Sequence, residues 1–339
     1  VGATSPLFFL ENLVMTDDYD EPEDSWEGDP KDVWVEFLEP VKRMSRDMKL
    51  AAATLGDREA RHLVDSYYIM QEDRKRAAGQ QRALTSSGEP HSVINWIYNQ
   101  SSTLENQIKS ALDVYSESHV MGSWMRQITG IGPVLSAGLL AHIYMGEWCS
   151  VCHAHDAEKC VKLQEKDKNK TIEKHDFIPE YSCPTVGHIW SFAGWASDGQ
   201  KAWEKGEKRP FNAKFRVLCW KAGQSFLKLS NNPKCFYGVE YRKRKEYEIA
   251  RNERGDLAAQ AALGAARVDK YTDAYKYYIQ GKLPPAHIDA RARRWAVKLF
   301  LAHLHGEWYE RNTGKPAPAP YPISHLGHVH VIPSPVKKG

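Results

Sequence analysis

Two glycines and a proline within one short apolar run, Ile128-Thr129-Gly130-Ile131-Gly132-Pro133, constrain this chain more than any other feature. Glycine turns the backbone through left-handed φ without a Cβ penalty. Proline is tolerated at the first position of a helix, where its missing N–H would have no partner anyway. The run therefore predicts a helix ending near Gln127, a tight turn, and a second helix starting at Pro133. Ser136, Ala137 and Gly138 are small enough to let that second helix approach a neighbour closely, and Leu135, Leu139 and Leu140 give it an apolar face. Backbone amides left uncovered at such a helix start attract anions. The spacing thus reads as a helix-hairpin-helix over 121–145, with Gly130 and Gly132 as candidate contacts to DNA phosphate. Contacts of that kind grip the backbone without reading bases.

Apolar residues at helical spacing flank this element. Val33, Val35, Phe37, Leu38, Val41 and Met44 predict a helix over 33–54, kinked at Pro40. Leu63, Tyr67 and Met70 share one face of a second helix, capped by Asp57 and running to about Leu84; Gly88-Glu89-Pro90 ends it. A third helix spans Ser92 to Ser118. These make 33–120 a helical bundle or coiled-coil region and a candidate homodimer surface. Further helices are expected over Ala213–Leu229, 239–266 and 285–311. The tail, 313–339, holds six prolines and reads as an extended arm. The expected fold class is mainly α, a helical bundle with a helix-hairpin-helix element and a loop-rich Cys/His insert at 146–190.

Four of the six cysteines fall in that insert, among histidines. Cys149-x-x-Cys152 is followed by His153, His155, Cys160, His175, Cys183 and His188. A Cys-x-x-Cys turn supplies two ligands of a tetrahedral zinc. Cys183-x4-His188 is the expected second pair, closing the insert as a loop, with His153, His155 and Cys160 competing for those places. A structural zinc is the leading reading; plain buried thiols and a catalytic metal are the alternatives. A zinc deaminase needs a His-x-Glu element before its Pro-Cys-x-x-Cys, and none stands there.

Charge is unevenly spread. Residues 1–32 carry ten carboxylates against one lysine, a net −9; the whole chain is +3, so the remainder is +12. A basic body suits a polyanion, and the acidic head reads as a solubilising tail or as an arm competing for that basic surface. Lys208, Arg209 and Arg216 alternate with aromatic residues; Arg242, Lys243 and Arg244 form a denser patch; Arg291 and Arg294 lie along one helix. All are candidate phosphate contacts, with the aromatics available for stacking an unpaired base or for packing a core. No apolar run approaches the ~20 residues needed to cross a bilayer. Residues 1–9 lack the basic start of a secretory signal. A cytoplasmic, DNA-associated location with no membrane partner is therefore expected.

Several of these segments resemble, in order, the C-terminal domain of IS-one-ten-type insertion-sequence transposases. Gly130-Ile131-Gly132-Pro133 looks like that family's hairpin. Trp190-Ser191-Phe192-Ala193-Gly194-Trp195 is similar to its Ala-Gly stretch, and Ser197-Asp198-Gly199 falls at its Ser-Gly pair. Gly206 to Asn212 with Phe215-Arg216 resembles its Gly-Asn-Leu-Arg segment, and Ala290-Arg291-Ala292-Arg293-Arg294 its closing helix. The resemblance covers about residues 92–311 and implies DNA handling, with Ser197 the counterpart of a serine implicated in strand chemistry. The family's N-terminal RuvC-like domain has no counterpart here, and the Cys/His insert is foreign to the pattern. The expected function is accordingly DNA binding by a transposase relative, domesticated or phage-borne, that grips backbone through the hairpin. The alternative is an enzyme modifying a flipped DNA base, as in phage thymidine hypermodification; a third is a purely architectural protein.

Overall fold

Several helix starts in this chain are set by a side chain that caps them, among them Ser45, His119, Asp156, Asn212 and Thr272. A computed structural model describes residues 43–88, 92–167, 173–195, 206–327 and 329–336. The acidic segment 1–32, the first part of the helix expected over 33–54, and Ser197 lie outside the described residues. After α1 (Arg46–Ala51) and a 3-10 turn at Ala52–Thr54, α2 runs over Asp57–Ser86. Its N-cap is Gly56, one residue before the expected Asp57, and the Glu59 carboxylate accepts the Gly56 N–H at 2.8 Å. The third helix, α3, spans Ser92–Ser118 as its periodicity predicts. It lies along α2, and the pair is tied by Arg74 and Glu105, the latter buried.

The hairpin helices are α4 (Val120–Arg126) and α5 (Pro133–His142). Helix α5 is wedged among α2, α3 and α8 (Ala213–Lys228), which accounts for its small residues. A Cβ on Gly138 would stand 3.0 Å from both Leu218 methyls and 3.5 Å from Val64. Ser136, Ala137 and Leu139 are fully buried. The main core continues through Leu112, Met121, Met125, Phe215, Phe226, Tyr237 and Phe300. Burying side chains of this size stabilises by roughly 1.5–3 kcal/mol each.

An insert interrupts the helices: β1 (Glu147–Cys149) pairs antiparallel with β2 (Pro179–Tyr181), with Trp148 opposite Glu180, and α6 (Ala157–Lys166) lies between them. Helix α7 (Val186–Phe192) returns the chain to the body. The charged helix expected over 239–266 is two helices, α9 (Phe236–Glu253) and α10 (Ala258–Ala265). They part at Gly255, whose φ of +83° terminates α9. After α11 (Asp273–Tyr278), the long α12 (Pro285–Thr313) crosses α7, α8 and α9 and ends at Gly314 in the left-handed region. The proline-rich tail includes a short helix, α13 (Tyr321–Ser324), and is held to the body where His303 Nε2 meets the Ile332 carbonyl at 2.8 Å. Among the described residues no helix is long and apolar enough to cross a membrane.

Candidate metal centre and anion-binding surfaces

Strand β1 delivers Cys149 to a tight turn. The Cys149 N–H donates to Ala154 O at 2.7 Å, the His153 N–H donates to Cys149 O at 2.8 Å, and His153 takes φ +57°. This turn brings Cys152 back toward Cys149. Asp156 caps α6 by accepting the Lys159 N–H at 2.7 Å, which sets Cys160 in the first turn facing the same point. Cys160 Sγ lies 3.4 Å from Cys152 Sγ, 3.9 Å from Cys149 Sγ and 3.3 Å from His175 Nε2. The four ligand atoms all lie within 4.8 Å of one another. The His175 Nδ1 sits 2.7 Å from the Glu173 carbonyl, so it carries the proton and leaves the Nε2 lone pair for the cluster. Gln164 holds this loop, bonding to the carbonyl and amide of His175 and to Cys160 Sγ.

Three sulfurs and an imidazole form a donor set that can hold one metal ion. Burial works against the Cys149 thiolate, but backbone hydrogen bonds at Cys152, Ile178 and Val151 outweigh it and bring its pKa down to about 6. Cys160, with burial and the neighbouring sulfurs both acting on it, is pushed up to about 11. A bound cation would favour the thiolate at Cys160 as well as at Cys149.

The expected second pair does not reach this point. Cys183 Sγ lies 3.5 Å from the Tyr144 carbonyl, and burial pushes its thiol up to about 11. Its own carbonyl accepts His305 Nε2 at 2.9 Å, so Cys183 anchors the end of the insert to α12. His188 lies on the outer face of α7, exposed, beside Thr185. The competing histidines are used in stacking: His155 lies flat on Tyr144 with centroids 3.9 Å apart, and His153 packs on Trp148. The correction is therefore Cys160 and His175 in place of Cys183 and His188. Cys149-x2-Cys152-x7-Cys160-x14-His175 was present in the sequence, but the charged run after Gln164 hid how closely His175 returns.

At the hairpin, Gly130 adopts φ +106°, and a Cβ there would press on Ser225 and Phe226 of α8. Ser225 Oγ donates to Gly130 O at 2.6 Å, and Cys235 Sγ donates to Thr129 O at 3.3 Å. The carbonyls of the turn are thus occupied from inside. The amides of Gly130 and Gly132 find no partner among the described residues, and Gly132 has open space where a Cβ would sit. Lys228 and Lys234, which sequence reasoning passed over, flank Ser225 and Cys235 in the chain and are exposed.

The cationic residues divide. Lys208, Arg209 and Arg242 are exposed. Lys243 pairs with Glu240 at 2.7 Å. Arg244 and Arg291 converge on the buried carboxylate of Glu248, clamping α9 to α12. Burial raises the Glu248 pKa, but Arg291 and Arg244 outweigh it and hold the group ionised. The 241–245 patch is therefore largely ion-paired within the protein. Arg216 and Arg294 instead line a cleft between α8 and α12. No family model, no curated protein and no solved structure matches this chain.

Proposed function

We propose that this protein binds DNA by its sugar-phosphate backbone through the α4–α5 hairpin, with a structural zinc stapling the insert. What carries the reading is the polarity of the turn. Its carbonyls are bonded to Ser225 and Cys235, while the Gly132 amide has no partner among the described residues and a side chain at Gly132 would meet open space. Such a turn attracts an anion, and Lys228 and Lys234 add positive charge beside it. A tetrahedron with zinc–sulfur bonds of about 2.3 Å has sulfur–sulfur edges of about 3.8 Å, close to the 3.4 and 3.9 Å separations from Cys160. Four protein ligands leave no open position, which makes the metal structural and not catalytic. Kinship with the DNA-handling domain of IS-one-ten-type transposases, a DNA-associated location and pairing of two copies through the N-terminal helices belong to the same reading.

The test is Gly132→Val. Gly132 has φ −90° and ψ 180°, extended backbone that valine adopts without strain, and its side-chain space is empty. The variant stays folded and obstructs only the approach to the amides. Anisotropy titrations with two unrelated duplexes are expected to show equal losses of affinity, and a salt slope shallower by roughly one unit per lost phosphate contact. Wild-type affinity and slope in the folded variant would remove the hairpin from the DNA surface.

A further inference from the structure

Between α8 and α12 the helices touch at their floor and part at their rims. Gly223 lets them meet: a Cβ there would stand 3.1 Å from Val297. Cys219 and Ala290 keep the floor shallow-sided, and the resulting cleft encloses about 350 Å³. Ligand cavities run from roughly 300 to 1,000 Å³, so this one suits a single small molecule.

Its rim chemistry is one-sided. Arg216, Arg293 and Arg294 line the cleft together with the indoles of Trp195 and Trp220, and among the described residues no carboxylate does. Arg293 is neutralised by Asp289 at 2.8 Å. That carboxylate also takes Lys245 at 3.0 Å and the Tyr241 hydroxyl, so it has little left for other cations. Arg216 lays its guanidinium on Phe211, 4.7 Å from the ring centroid, and makes no ion pair among the described residues. Among the described residues Arg294 likewise has no carboxylate or acceptor; its charged neighbours include Arg291, Arg216 and Lys298. Lys298 lies one turn further along α12, its Nζ 4.1 Å from the Trp190 ring and 3.3 Å from the Trp195 carbonyl. Cations gathered without a counterion cost stability, and an anion in the cleft would relieve that. Trp220 is 54% exposed, an indole left at the rim instead of in the core.

We propose that this cleft binds a single nucleotide, its phosphate held by Arg216 and Arg294 and its base laid against Trp220. Guanidinium forks match phosphate oxygens, and an indole face accepts any base. A bare phosphate would leave the indoles without a partner, and a neutral nucleoside would leave the arginines without one. The inference rests on the cleft alone and stands whether or not the hairpin holds DNA. A free nucleotide and one presented by an unpaired strand offer the same chemistry.

Calorimetric titration of the full chain with thymidine 5′-monophosphate, thymidine and inorganic phosphate tests it. The monophosphate is expected to bind at least tenfold more tightly than either fragment. Arg294→Gln should weaken it roughly tenfold to a hundredfold, as loss of a charge-assisted hydrogen bond does. Trp220→Leu should weaken it about tenfold. Because Arg294 is surrounded by like charge, Arg294→Gln is expected to melt at the same temperature as wild type or higher. Competition by a single-stranded oligonucleotide, sensitive to Arg294→Gln, assigns the nucleotide to a strand; its failure to compete assigns a free one. Absence of monophosphate binding in the wild type, unchanged binding in folded Arg294→Gln, or a clear fall in its melting temperature would overturn the proposal. Duplex affinity of Gly132→Val is a separate measurement, so the two readings fail independently.

Discussion

Cys160 reaches the cluster because α6 is capped one turn earlier, at Asp156. Its sulfur stands between Cys152 and His175, so removing it opens the tetrahedron from the middle. We expect purified wild-type protein to carry about one zinc equivalent, and Cys160→Ser and His175→Ala to carry far less and to melt lower. Cys183→Ser should keep the full equivalent, since Cys183 meets a carbonyl and no other sulfur. Elemental analysis of the three variants decides: metal lost from Cys183→Ser and kept in Cys160→Ser would reverse the ligand assignment. The knuckle at Cys149 and Cys152 was legible because two cysteines two residues apart can meet only across a turn. The other ligands were not, because spacing alone does not say which of several later cysteines and histidines folds back. Here the choice was made by packing: Cys183 serves the junction with α12, and the rings of His153 and His155 are taken by Trp148 and Tyr144.

Helix α5 shows the same division among elements. Its start at Pro133, its turn at Gly130 and its run of small residues were all readable, since each is a local backbone requirement. Which helices it would enter was not, because α2, α3 and α8 come from distant parts of the chain. At Gly138, α8 comes close through Leu218 and α2 through Val64. Gly138→Val places methyls beyond the 3.0 Å already reached by a Cβ against Leu218, and is expected to cost about 1–3 kcal/mol of overpacking. Urea unfolding followed by circular dichroism measures this directly. A variant as stable as wild type would mean that α8 can slide away, and that the small-residue stripe is not what sets the α5–α8 distance. The basic patch on α9 was the opposite case. Its residues were visible as charges, but their partners Glu248 and Asp289 were visible only as further charges until α9 and α12 lay side by side.

Taken as a whole, the molecule carries an acid-sensitive set of histidines. His119 beside α4, His142 at the end of α5, and His287, His303 and His305 on α12 all have pKa values held below the usual histidine range, chiefly by burial. In the unfolded chain each would titrate near its ordinary value of about 6.5. Below that pH the unfolded state binds more protons than the folded one, so stability is fully present above about 6.5 and falls as pH drops. The carboxylates held low by arginine, Glu105 and Glu248, act only below their own unfolded range, near 4.5. The loss between pH 6.5 and 5 therefore belongs to these histidines and, where the Cys149–His175 cluster holds an ion, to protonation of its ligands. His305 separates the two. It is 1% exposed and joins α12 to the Cys183 carbonyl. Glutamine at 305 can donate the same hydrogen bond without titrating. Urea unfolding of wild type and His305→Gln at pH 7.5, 6.5 and 5.5 should give a shallower acid slope in the variant, by up to about 1.4 kcal/mol per pH unit, with metal release common to both. Equal slopes would mean that His305 takes up its proton without leaving the fold, and that the α12–Cys183 junction opens locally before the core does.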